Sequence, residues 1–178
     1  MSQPQKTKKG KLISSLFTPE RGLIETGIKE MEEQFGRVDW VSELLPFDRT
    51  RYYEKEMGWP LHRRFISFLR LIMPESIADI KLITNELEKA HLDKEKRKIN
   101  IDPGYITLER LVLATGKNYS HRVYLRKGIY ADLTLIFHDG TFKPLSWTYP
   151  DYAEEKVISL FNRLRSGYLQ HLREGVQQ

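Results

Sequence analysis

No cysteine occurs anywhere in the 178 residues. That absence removes disulfides, thiolate nucleophiles and cysteine-ligated zinc or iron–sulfur centres together, and favours a reducing, cytoplasmic setting over a secreted one. Equally missing is any run of about 18 apolar residues, the least that spans a bilayer as a helix. Met1 to Lys11 is polar and leads into no apolar signal stretch, so no membrane association is expected. The five histidines are scattered. They form neither an HExxH motif nor an i, i+4 pair, so no metal site is expected. Internal repeats and flexible interdomain linkers are absent as well. What remains is an ordinary globular composition, 40% hydrophobic and 30% charged with a mean hydropathy of -0.52, in a chain long enough to build one core unaided.

The net charge is +5. Four of the cations, Lys6, Lys8, Lys9 and Lys11, lie in or beside a leader over 1–10 that is too polar to pack. Without them the domain expected over 11–178 is close to neutral. Binding a polyanion requires lysines and arginines gathered on one folded face, so nucleic acid is disfavoured as a partner.

Periodicity divides the chain into elements. Lys11 to Phe17 reads as a strand, and Thr18-Pro19-Glu20 announces a helix with a threonine cap, a proline in the first position and an acid in the first turn. Ile24, Gly27, Ile28, Met31 and Phe35 then recur at helical spacing before Gly36. Val38 to Leu45 and Arg64 to Ile72 read as strands, the latter with apolar residues on both faces. Pro74 opens a second helix striped by Ile77, Ile80, Ile83, Leu87 and Ala90. Lys98 to Ile106 is again extended. This β-α-β-β-α-β order predicts an α+β fold, a ferredoxin-like sandwich with both helices on one face of an antiparallel sheet. Leu108 to Ala114 fits helix or strand. Lys127-Gly128 and Asp139-Gly140 are hairpin turns flanking a strand through Ala131, Leu133, Leu135 and Phe137, which extends the sheet. A last helix over 152–173 carries Val157, Leu160, Leu164, Tyr168 and Leu172 on one stripe.

Two familiar motifs fail on inspection. Gly116-Lys117 has Leu111 where a phosphate loop needs glycine and Asn118 where it needs Ser or Thr. Arg63 to Phe68 resembles an RNA-recognition strand, but Phe65 and Phe68 are an odd number apart and face opposite ways, which defeats base stacking from one face.

The hairpin offers a better candidate. With Lys127-Gly128 as a two-residue turn, Arg126 faces Ile129, Val123 faces Asp132 and His121 faces Thr134. His121, Tyr130, Asp132 and Thr134 then share a polar face, and Ala131, Leu133, Leu135 and Phe137 take the core face. A histidine beside a carboxylate has its tautomer fixed and suits general acid–base work. The plainer reading is an incidental cross-strand pair on a solvated hairpin.

Several longer segments resemble a bacterial domain-of-unknown-function family, number 4416: Pro46-Phe47-Asp48 to Tyr53-Glu54-Lys55-Glu56-Met57-Gly58, Ala78 to Lys81, Thr84 to Glu88, Asn100 to Tyr105, Lys117 to Leu125 and Trp147 to Tyr152. The resemblance runs from about Lys11 to the last helix. It implies no activity or cofactor, but its recurring words single out Asp102, Tyr105, Lys117, Asn118, His121, Arg122, Tyr149 and Asp151, with Asp48, Glu56, Lys81 and Asn85 as a second tier. Asp132 stands where the family has glutamate, and Thr115-Gly116 where it has Ser-Thr. Singly, each residue has an ordinary explanation: Asp102-Pro103-Gly104 as a turn, Asn118 as a loop residue, Asp151 as a helix cap.

Two functional classes follow. The first is a protein that binds, or acts on, an anionic small molecule, phosphorylated or nucleotide-like. Lys117 supplies a point charge, Arg122 bidentate contacts and Asn118 hydrogen bonds; His121, Asp132 and Asp102 are the candidate acid–base groups, and Tyr105, Tyr130, Trp147 and Tyr149 the aromatic walls. The second is a non-catalytic interaction or assembly domain whose aromatics and arginines anchor a protein partner. The first needs a concave site, the second an exposed, flat patch.

Overall fold

The computed structural model describes residues 1–175, and the domain expected over 11–178 extends three residues beyond them. Residues 1–9 are exposed and carry no regular secondary structure. The fold is α+β. Its strands are β1 (Gly10–Thr18), β2 (Val38–Val41), β3 (Leu45–Pro46), β4 (His62–Ile72), β5 (Asn100–Ile106), β6 (Arg110–Thr115), β7 (Arg122–Arg126), β8 (Ile129–His138) and β9 (Thr141–Pro144). Its helices are α1 (Arg21–Phe35), a single turn α2 (Glu54–Met57), α3 (Ile77–Ala90) and α4 (Glu155–Arg173). All nine strands join one antiparallel sheet in the order β2-β4-β1-β5-β6-β8-β7, with β3 on β4 and β9 on β8.

Every residue of β1 is buried. Its alternation sends Leu12 and Leu16 to one side, where they pack with Ile66, Phe68 and Ile101 beneath α1 and α3. Ile13 goes to the other side, with Phe65, Leu113 and Leu135 beneath α4. A smaller cluster of Phe17, Phe47, Met57 and Leu61 closes the end of β1 under the loop that carries α2.

Several elements begin or turn otherwise than the sequence predicts. Helix α1 starts at Arg21 with Glu20 in the cap position, so Pro19 precedes the helix. Thr18 Oγ1 instead accepts the Glu20 N–H at 3.0 Å. A 3₁₀ turn over Pro74–Ser76 precedes α3. The buried stripe of α3 is Ile77, Ala78, Ile80, Lys81, Thr84 and Glu88, while Ile83 and Ala90 face solvent. The second half of the helix thus turns polar groups inward. Of Leu108 to Ala114, the part from Arg110 on resolves as strand β6, after a bend at Leu108 and Glu109, and Asp102-Pro103-Gly104 is a paired stretch of β5 rather than a turn. Both hairpin turns stand: Lys127, Gly128, Asp139 and Gly140 all adopt positive φ.

Two bulges alter which residues share a face. On β7, Arg126 pairs with Ile129 but Tyr124 pairs with Tyr130, so Leu125 is an extra residue. Arg122, and not Val123, therefore stands opposite Asp132. On β8, Val112 pairs with Leu133 and Leu111 with Leu135, so Thr134 is extra. Beyond it the alternation inverts. Leu135 and Phe137 pack under α4, on the face that carries Asp132, whereas Leu133 stays on the opposite face.

β5 and β6 pair over only three residues each, Gly104 to Ile106 against Leu111 to Leu113. Pro103, which has no N–H to give, is the first residue of β5 without a partner on β6. Below this point the strands splay. Gly104 sits at the apex, where an added Cβ would lie 2.5 Å from the Val112 carbonyl oxygen and 2.7 Å from Leu113 Cδ2.

Gly104→Ala is expected to destabilise the protein by about 1–3 kcal/mol, the usual cost of overpacking against backbone. Gly167→Ala, in the exposed middle of α4 with nothing within 4 Å, is expected to stabilise it by about 0.5–1 kcal/mol. Urea unfolding of both variants checks the pair; equal effects would show that the apex is not tight.

Candidate functional site

The splay between β5 and β6 opens a cleft of about 820 Å³, within the ordinary range for small-ligand sites. One wall is Asn100 and Asp102 of β5 with Phe17 and Arg63 of the neighbouring strands; the other is Leu113 to Lys117, Arg122 and Asp132. Lys81, Asn85 and Glu88 of α3 show through the gap, and the rim is made by Arg49, Thr50, Tyr52 and Tyr53 and by Tyr149 to Tyr152. Six cationic side chains and four carboxylates line it.

Most of these charges are matched. Lys81 donates to the Ile101 carbonyl at 2.8 Å and lies 3.4 Å from Asp102 and 3.7 Å from Glu88. Glu88 accepts the Ile101 N–H at 2.7 Å. Arg97 grips Glu56 through two hydrogen bonds of 2.6 and 2.7 Å and reaches Asn100 Oδ1 at 2.7 Å. Asn100 in turn donates to Asp102 at 2.7 Å. Arg63 is paired with Asp151 and Arg49 with Glu154. Burial of Glu88 raises its carboxyl above the ordinary carboxylate range, with Lys81 opposing. The hydrogen bonds from Arg97 lower that of Glu56.

The mouth differs. Among the described residues Lys117 makes no ion pair; its ammonium donates to the Tyr52 hydroxyl at 3.0 Å and lies 4.7 Å from the centre of that ring. The hydrogen bond from Lys117 lowers the Tyr52 phenol from its ordinary range. Beside it, each nitrogen of Arg122 already donates within the protein: Nε to Asp132 at 2.8 Å, Nη1 to the Lys117 carbonyl at 3.0 Å and Nη2 to the Tyr149 hydroxyl at 2.6 Å. Arg122 thus fixes the backbone of Lys117 and the ring of Tyr149. Asp132 also accepts from Thr134 at 3.3 Å and contacts His121 Nε2 at 3.2 Å. His121 is stacked on Trp147 with ring centres 5.1 Å apart, and its Nδ1 has no partner among the described residues.

Of the residues singled out in the sequence, Lys81, Asn85, Asp102, Lys117, Arg122, Asp132, Tyr149 and Asp151 meet in the cleft. Asp151 enters through its pairing with Arg63; Glu154, not Asp151, precedes the first turn of α4. Glu56 stands behind Arg97. His121 and Trp147 lie outside the lining, in contact with Asp132 and with the Leu133 carbonyl respectively. Tyr130 packs edge-on against Tyr124. Tyr105 is on the opposite face with the α1 and α3 cluster, and Asp48 and Asn118 are exposed. Sequence reasoning passed over Arg49, Tyr53, Arg63, Glu88 and Arg97. Arg97 hides in a charged run, and Glu88 lies one position beyond Leu87, which the apolar stripe counted from Ile77 placed inward.

The two glutamates on Arg97 predict opposite pH behaviour. Glu88, whose folded value is raised, contributes stability that is full below its unfolded value near 4.5 and is lost as pH climbs through the folded value. Glu56, whose folded value is depressed, contributes stability present above 4.5 and lost as pH falls through the folded value. Relative to the parent protein, Glu88→Gln should therefore gain stability with rising pH above 4.5, and Glu56→Gln should lose it with rising pH below 4.5. Denaturant midpoints across that range test both; two parallel profiles would refute the assignment.

Neither the curated proteins nor the solved structures yield a match to this chain. Residues 8–168 match the family described as Domain of unknown function (DUF4416), nearly the whole length. The chain belongs to that family.

Proposed function

We propose that the cleft binds a small anionic ligand, phosphorylated or nucleotide-like. The observation that carries this reading is Lys117: every other lining cation is engaged by a carboxylate, whereas this one stands at the mouth against a neutral phenol. An unmatched ammonium in a concave site attracts an anion at little cost, because no internal ion pair has to be broken first. Tyr52 and Tyr149, 66% and 47% exposed, flank the mouth with their rings available for stacking. The cysteine-free composition supports a cytoplasmic setting. In the first half of the sheet β1 lies between β4 and β5 with β2 outermost, and α1 and α3 share one face. That interleaving supports the ferredoxin-like description of this half.

A second reading, a protein-interaction domain, is favoured by one feature. The edge strand β7 exposes Val123, Tyr124 and Leu125 at 66%, 56% and 36%, and an open strand edge accepts a partner's strand.

Thermal unfolding against a panel of nucleotides, sugar phosphates and inorganic phosphate tests the first reading. A bound anion at about 100 times its dissociation constant should add roughly 2.7 kcal/mol of stability, and Lys117→Met should abolish the shift. No shift from any anion, together with self-association or partner capture that is lost in Val123→Lys, would favour the second.

A further inference from the structure

The four carboxylates that line the cleft are not equally open. The side chains of Glu88, Asp132 and Asp151 are 7%, 5% and 14% exposed, and each is held by a cation. That of Asp102 is 33% exposed. Its Oδ1 lies 3.4 Å from Lys81 and its Oδ2 accepts from Asn100 at 2.7 Å, which leaves each oxygen able to accept a further bond. Two neutral polar groups line the same cleft. Asn85 sits one helical turn beyond Lys81 on α3, and Tyr53 comes from the rim, its ring packed on Phe17 at 4.8 Å and on Phe47 at 6.0 Å. Both are half-buried, and neither side chain makes a hydrogen bond to another described residue.

This set has a definite chemistry. A carboxylate only accepts, a phenol donates, and an amide does both. Burial, and after it the nearby Asp102, raise the Tyr53 phenol above its ordinary range, so it keeps its proton. Hydroxyl groups, which donate and accept through one oxygen, match all three. A second anionic group does not, since it would face Asp102. The three groups come from β5, α3 and the α2 loop, so they converge from different walls rather than along one line. The hydroxyls of a sugar project in this way, whereas the polar edge of a flat base lies in one plane.

We infer that the inner end of the cleft is a subsite for the hydroxyls of a sugar, so that the ligand is a sugar phosphate with its phosphate at Lys117 and its hydroxyls at Asp102, Asn85 and Tyr53. The two regions adjoin: the Glu56 carboxyl, held first by Arg97, also feels the charge of Lys117, and Arg97 is linked through Asn100 to Asp102. This rests on the anion-binding reading and adds a substrate class to it. Butyl phosphate, which carries the charge and the bulk but no hydroxyl, is the natural control.

The test is calorimetric titration of the full chain with ribose 5-phosphate, glucose 6-phosphate, butyl phosphate and uridine 5′-monophosphate. The parent protein should bind at least one sugar phosphate roughly tenfold or more tightly than butyl phosphate, the worth of two or three hydrogen bonds. Asn85→Ala, which breaks no hydrogen bond within the protein, and Tyr53→Phe, which keeps the packed ring, should each cut that preference by roughly three- to tenfold. Equal affinities for butyl phosphate and both sugar phosphates, or a preference untouched in both variants, would overturn the subsite and leave anion binding at Lys117 standing. Much tighter binding of the uridine nucleotide than of either sugar phosphate would assign the inner end to a base and overturn it as well. Failure of the parent protein to bind any of the four would overturn both readings.

Discussion

The burial of β1 on both faces is the constraint from which the architecture follows. A strand whose alternate residues all need covering demands a layer on each side, and α1 with α3 on one face and α4 on the other supply them. Such a sheet has no solvated face along its centre, so a polar site has to be made where the layering ends. In this protein it ends where β5 parts from β6. Strand separation, rather than a loop laid over a finished sheet, creates the concavity, and that is why the walls of the cleft are strand residues held to fixed positions.

The parting exposes backbone and buried charge that the rest of the molecule then satisfies. Lys81 reaches through the gap to the Ile101 carbonyl, Glu88 takes the N–H of the same residue, and Arg97 ties both to the α2 loop by way of Glu56. Ion pairs of this kind add little net stability once desolvation is counted. Their effect is positional: each fixes a lining group, and together they leave the inner region near neutrality. Against that background one unmatched ammonium at the mouth is enough to give the cleft a polarity.

Much of the architecture was legible because periodicity reports burial directly. The apolar spacing in α1 and α4, the two-sided pattern of β4 and the glycine turns at 128 and 140 each have a local cause and fell where they were expected. The misplacements share a different cause. The bulges at Leu125 and Thr134 have no signature in a single sequence, yet each moves a strand by one residue and exchanges its faces, which is how Arg122 rather than Val123 came to stand opposite Asp132. The inner face of α3 was misread because burial was equated with apolarity, whereas Lys81 and Glu88 are buried through their hydrogen bonds. The cleft residues were found in part by family wording, and those missed, Arg63 and Arg97 above all, owe their roles to partners more than 40 residues away in sequence.

The extra residue at Thr134 makes one strand serve two purposes. On the near side of it β8 gives Asp132 to the cleft; on the far side the same face gives Leu135 and Phe137 to the packing under α4. The strand is therefore governed by parity. A substitution within it disturbs one contact, but a one-residue change of length beside the bulge would exchange lining for core along a whole half-strand, so the spacing of β8 is held more tightly than its composition.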